Sequence, residues 1–315
     1  MRIDVHVHIT ALTPAHGAMS PLLRNNHLTR FLRLRFGIFG DDEKSERAFE
    51  NILAKTIAQT TDLDAAVVLA FDRVYDENGD IDDARTNLFV TNDYVIDLVK
   101  KHPKMLFGAS VHPYRKDAVA ELERCVAAGA TLIKWLPITQ GFDPSHKLCF
   151  PFYEAMAHHK IPLLCHTSGE RALPVISPQF QSPELLLPAV ERGVTVIAAH
   201  CGSRADNKSK GFVDEFVRMA RDHEHFYGDT SALNLPPRWT AYPRILEDPR
   251  VRNKLVHGSD WPIISLPPPE YVKWGAMARM MMDGNWMRRD VAIKKYMGFD
   301  EAYFQRAGTL LRMPT

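Results

Sequence analysis

Long apolar runs are missing from this 315-residue chain. The longest, Ala65–Phe71, falls far short of the roughly 20 residues that cross a bilayer. The first residues form a charged, alternating segment where an export signal would be apolar. Both absences lead us to expect a cytoplasmic protein with no membrane partner. Cysteine is scarce: Cys125, Cys149, Cys165 and Cys201 show no Cys-x-x-Cys spacing and read as buried, reduced thiols. Net charge is almost nil, +1 from 39 basic and 38 acidic residues, which removes the electrostatic basis for binding nucleic acid. No Gly-x-Gly-x-x-Gly turn follows the first strand, which counts against an open dinucleotide-binding sheet.

What is present is the composition of an ordinary globular protein, 45% hydrophobic and 24% charged, with 14 histidines. Residues 2–9 alternate polar and apolar side chains, the period of a strand. Apolar runs at 64–70, 104–111, 131–135, 162–166, 194–200, 225–229 and 254–258 read as seven more strands, most of them continuous enough to be buried on both faces. Helical patterns fill the gaps at 43–60, 85–101, 117–128, 152–159, 183–192, 212–222 and 242–247. From residue 131 the strands recur with a period of about 31 residues, the length of one β-α unit with its loops. The pattern predicts an α/β fold, a (β/α)8 TIM barrel forming a single domain over residues 1–315. Residues 10–42, with a helical pattern at 26–36, make an insertion after the first strand. It is either a lid over a site or a peripheral helix docked by Leu28, Phe31 and Leu32. Extra C-terminal helices are expected at 270–283, 288–296 and 301–311.

In a barrel of this kind the active site forms at the C-terminal ends of the strands. His6 and His8, two apart on one strand, point the same way, and two neutral imidazoles aimed at one point suit a divalent metal. Lys134 sits on the fourth strand, His166 ends the fifth, His200 the sixth, and Asp260 follows the eighth. Each alone has a structural explanation; six metal-competent residues on five strands, at one end, do not. Around them His112, Trp135, Trp261, Arg204 and Arg73 are candidates for the substrate wall. Asp229, closing the seventh strand, is placed to orient a ligand.

This constellation (His6-x-His8, Lys134 in Ile-Lys-Trp-Leu-Pro, His166, His200, and Asp260 in His-Gly-Ser-Asp-Trp-Pro) resembles the amidohydrolase superfamily. It is most similar to the amidohydrolase-related branch of metal-dependent barrel hydrolases, which also holds decarboxylases. The resemblance runs from His6 to the helix at 306–311. It implies that His6, His8, His166 and Asp260 bind a catalytic divalent metal, Zn2+ being the best chemical match. His200 is implied as a second-metal ligand or an acid/base. It implies either two ions bridged by a carboxylated Lys134, or one ion with a free lysine. The expected activity is hydrolysis of a small cyclic ester (a lactone), an amide or a related bond by metal-activated water, with Asp260 and His200 as catalytic residues. The alternative is non-oxidative decarboxylation or hydration of an unsaturated or aromatic acid at a single-metal site. The expected partner is a small-molecule substrate, and a homodimer is the default assembly.

Overall fold

The computed structural model describes residues 1–313. Eight parallel strands form one curled sheet in sequential order: β1 Ile3–His8, β2 Ala65–Leu69, β3 Met105–Ala109, β4 Leu132–Trp135, β5 Leu163–His166, β6 Val196–Ala199, β7 Phe226–Asp229 and β8 Leu255–Val256. Every residue of β2, β4, β5 and β6 is buried, as continuous apolar runs require when both faces are covered. The edges of the sheet meet. Val5 N–H donates to His257 O at 3.0 Å, His8 N–H to Trp261 O at 2.8 Å, and Asp260 N–H to His6 O at 2.9 Å. Sequential parallel strands with joined edges are the arrangement of a TIM barrel.

One apolar cluster takes residues from most strands, among them Val67, Leu132, Leu164, Ile197 and Val256. Leu132 shares a face with Lys134, and Leu164 with His166, because residues two apart on a strand point the same way. The reactive side chains therefore continue this apolar column towards the C-terminal ends. A larger cluster packs the strands against the surrounding helices.

The helix expected at 85–101 begins only at Asn92. Thr91 caps it, its hydroxyl accepting from Tyr94 N–H at 3.1 Å. Leu88–Val90 instead forms an antiparallel ribbon with Gly17–Met19. That pairing is long-range and leaves no local signal. The C-terminal region holds helices Trp274–Met281, Trp286–Tyr296, Glu301–Gln305 and Ala307–Leu310, so the last expected helix is broken in two at Arg306. No described helix is long and apolar enough to cross a membrane.

Within residues 10–42, helix His27–Phe36 is capped by Asn26, whose Oδ1 accepts from Thr29 N–H at 2.7 Å, and stops at Gly37 with φ 64°. It has no fully buried residue; Phe36 packs on Phe49 and Trp261, Phe31 stacks on Trp286, and Leu32 rests against the core. The base of the insertion is held by Glu46, on helix Asp42–Gln59. Its carboxylate accepts from Leu12 N–H (2.6 Å), Thr13 N–H (2.9 Å) and His16 Nδ1 (2.5 Å). Burial alone would raise the Glu46 pKa, but the backbone donors Leu12 and Thr13 with His16 outweigh it and lower the pKa below 4.5.

A lowered folded-state pKa means the tether is at full strength above pH 4.5 and is lost as pH falls through the depressed value. Amide hydrogen exchange at residues 11–17 should accelerate below that range. Glu46→Ala should reproduce the acceleration at neutral pH and cost about 1–3 kcal/mol. Unchanged exchange in the variant would remove the tether from the account.

Candidate metal centre and active-site cavity

His6 is the pivot of the site. Its Nδ1 donates to Asp229 Oδ2 at 2.7 Å, which leaves the lone pair on Nε2. That nitrogen lies 3.2 Å from His8 Nε2 and 3.5 Å from Asp260 Oδ1, and His8 Nε2 lies 3.1 Å from the same oxygen. Ligand atoms about 2.0–2.1 Å from a tetrahedral zinc stand about 3.3 Å apart. The three donors thus form one face of such a coordination sphere, and the residues fit a divalent ion. Burial, with Lys134 nearby, pushes the His6 pKa well down, so the ring is a neutral ligand. For Asp260, burial pulls upwards, yet the fields of His6, His8 and Lys134 and the His8 hydrogen bond prevail, holding the carboxylate ionised.

A second set of close ligand atoms, on His6, His200 and Asp229, is better read as a hydrogen-bond network. Ser231 Oγ sits among them, 3.0 Å from His6 Nδ1 and 2.8 Å from His200 Nδ1, and donates to Asp229 Oδ1. His200 Nδ1 also lies 2.9 Å from Ser231 O. Donation there leaves Nε2 as the free acceptor of a ring that burial keeps neutral. His200 (φ 61°) and Asp260 (φ 63°) both hold left-handed backbone, uncommon for residues other than glycine. Such backbone clusters at functional sites.

Lys134 is fully buried, its Nζ 3.0 Å from His6 Nε2. Burial lowers its pKa, against the opposing pull of Asp229 and Asp260. His166 lies beside His200, ring centroids 4.9 Å apart. Its Nε2, however, is directed to Ser168 O at 2.8 Å, so it stands outside the His6–His8–Asp260 triangle.

These groups open into a cavity of about 660 Å³. Leu12, Leu23, Leu28, Phe31, Leu32 and Phe49 supply much of its wall, three of them from helix His27–Phe36. The five residues expected in the substrate wall lie elsewhere. Trp135 is enclosed against Phe142 and Phe152, with Nε1–H on Val111 O at 2.7 Å. Trp261 packs between Phe36 and Phe49. His112 has both nitrogens occupied, by Gln140 O (3.1 Å) and Tyr114 N–H (3.2 Å), and burial brings its pKa down to about 3. Arg73 pairs with Asp83 at 3.1 Å and lies over Phe89. Arg204 does not line the cavity, and its Nε is enclosed without an acceptor among the described residues.

Sequence reasoning missed Arg238, a buried guanidinium in the cavity wall, and Ser231. Neither sits at a strand end, and neither has a spacing that marks it. It also passed over Asp4, within the same motif as His6. Asp4 Oδ1 accepts from His6 N–H at 3.0 Å and Ser259 N–H at 2.9 Å. Period-two spacing to His6 and His8 was the available signal.

The family model described as Amidohydrolase matches residues 3–281. No curated protein matches the chain. Solved structures share its fold at low identity. An uncharacterised TIM-barrel protein from Bordetella bronchiseptica is 15% identical with a TM-score of 0.62, covering 98% of both chains. A probable 2-pyrone-4,6-dicarboxylic acid hydrolase from Acinetobacter baumannii is 16% identical with a TM-score of 0.54, covering 95% of this chain and 100% of that one. A 2,6-dihydroxybenzoate decarboxylase from Rhizobium is 14% identical with a TM-score of 0.55, covering 97% and 95%.

If Asp229 sets the His6 tautomer, Asp229→Asn should weaken Zn2+ binding about 10- to 100-fold. Competition with a chromophoric chelator measures this; undiminished affinity would show that the Asp229 bond is not what makes His6 a ligand.

Proposed function

The chain belongs to the amidohydrolase family, and we propose that this enzyme is a metal-dependent hydrolase of a small cyclic ester, amide or related bond. The observation that carries this reading is the triangle of His6 Nε2, His8 Nε2 and Asp260 Oδ1, with sides of 3.1–3.5 Å. One divalent ion, best matched by Zn2+, would be held there, acting as a Lewis acid and lowering the pKa of water to about 7. Asp260, ionised and facing the cavity, accepts the proton of the attacking water and returns it to the leaving group. His200, neutral with Nε2 free, is positioned to hold or relay a proton on the neighbouring wall. The insertion at 10–42 acts as a lid, its helix keeping bulk water from the cavity.

His166 Nε2 turns to Ser168 O and the His6–His200–Asp229 set is filled by Ser231, so a single ion at the triangle fits this arrangement better than a pair bridged by Lys134. That point favours a second reading on the same residues: non-oxidative decarboxylation or hydration of an unsaturated or aromatic acid. In it the site delivers a proton to carbon. One structural neighbour is a decarboxylase by name, which agrees with this alternative.

Asp260→Asn should lower turnover about 10²- to 10⁴-fold across a panel of lactones and cyclic amides with an unchanged circular dichroism spectrum; retained turnover would remove Asp260 from the chemistry. Metal analysis of protein prepared with bicarbonate and no chelator should give near one ion per chain, unchanged in Lys134→Ala. Two ions, falling to one in the variant, would establish the bridged site instead. Release of carbon dioxide from aromatic acids, with lactones untouched, would select the lyase reading.

A further inference from the structure

Four arginines line the cavity: Arg24, Arg33, Arg171 and Arg238. Arg24 pairs with Asp42 and Arg171 with Asp206, and Arg33 is exposed, reaching back to Ile38 O. Arg238 differs from all three. Its side chain is buried, and no carboxylate pairs with it among the described residues. Its partners are neutral: Nη1 donates to Ser168 Oγ (3.0 Å), Ser203 Oγ (3.0 Å) and Ser203 O (3.2 Å), and Nη2 to Gly169 O (3.1 Å).

A guanidinium carries five N–H donors. Nε–H and one N–H of Nη2 have no acceptor among the described residues. These two nitrogens are adjacent on one edge of the guanidinium plane, the fork that takes both oxygens of a carboxylate. Glu170, Asp260 and Asp229 act on Arg238 only at longer range; a buried cation with no carboxylate in contact is costly, and here the four hydrogen bonds lock the fork in place beside an apolar cavity. Ser168 Oγ, which holds Nη1, also lies 3.2 Å from His166 Nε2. From His166 the rings run on to His200 and His6, with centroid separations of 4.9 and 5.2 Å. Arg238 and the metal triangle stand at opposite ends of that row.

We infer that Arg238 is an anion anchor, and that the substrate is an apolar acid whose carboxylate binds Arg238 while its reacting bond reaches the His6–His8–Asp260 end. This rests on the metal-dependent reading above for the identity of the reacting end, but the anchor itself does not. The apolar wall supplied by Leu28, Phe31, Leu32 and Phe49 fits an aryl or alkyl body, and the neutral partners of Arg238 leave its charge for the ligand.

The test uses benzoate and its neutral isostere benzamide, titrated calorimetrically into the metal-loaded protein. Benzoate should bind about 10- to 100-fold more tightly, the range of charge-assisted hydrogen bonds. Arg238→Met should abolish that preference, as should Arg238→Lys, which keeps the charge but loses the fork and so guards against a folding defect in the first variant. Asp260→Asn should keep it. Equal binding of the two probes by the wild type, or a preference that survives in both Arg238 variants, overturns the anchor. A preference lost in Asp260→Asn but kept in the Arg238 variants puts the carboxylate on the metal, overturning the anchor while leaving the metal-dependent reading intact. A preference carried by Arg238 in protein that binds no metal supports the anchor and overturns that reading alone.

Discussion

The hydrogen bonds that join β1 to the segment following β8 are the constraint on which the site depends. His6 and His8 lie at one end of the chain and Asp260 towards the other. Asp4 draws them together with a single oxygen that accepts from the backbone of His6 and of Ser259. Asp260 N–H then closes on His6 O. Burial raises the Asp4 pKa to about 7, so each bond is worth from about 0.5 kcal/mol with the neutral acid to about 3 kcal/mol with the carboxylate. Gly258 makes the approach feasible, since a Cβ there would lie 3.0 Å from His6 Cβ and 3.1 Å from Ser231 Cβ. A wider seam would separate the three candidate metal ligands.

Electrostatics at the seam follow from burial. His6, His166 and His200 are all held neutral because a buried imidazolium is poorly solvated. Neutral rings are what ligands and proton acceptors require. The tautomers are then set by what each Nδ1 or Nε2 meets: Asp229 for His6, Ser231 O for His200, Ser168 O for His166. Asp229 is central, since it also accepts from the backbone N–H of His200 at 2.8 Å and of Ser231 at 3.0 Å. One buried carboxylate thereby couples β7 to the His6 ring and to the turn that carries His200. Asp260 stays ionised in the same surroundings because the adjoining histidines, the His8 hydrogen bond and Lys134 outweigh the cost of its burial.

Much of this was legible in the chain. Continuous apolar runs mark strands covered on both faces, and the recurring unit of about 31 residues orders them. The placement of His6, His8, Lys134, His166, His200 and Asp260 at strand ends follows from that register. The side-chain directions of Trp135 and Trp261 did not. Trp135 follows Lys134 on β4, where adjacent residues face opposite ways, so it turns into the helix layer while Lys134 turns inwards; Trp261 follows Asp260, whose left-handed backbone redirects the chain. Leu88–Val90 was misread for a related reason, since its strand partner lies about seventy residues earlier in sequence and leaves no local trace.

The repeating strand-helix order and the set of histidines, lysine and aspartate at the strand ends are readable in the chain, because period and residue type are local properties. Which atoms meet depends on the closed fold. It brought His6, His8 and Asp260 within ligand spacing, turned His166 to Ser168, and set Arg238 in the cavity wall with no ion-pair contact among the described residues. Those outcomes depend on which edge joins which, and on the low-dielectric interior that closure creates; neither is written in any one stretch of chain.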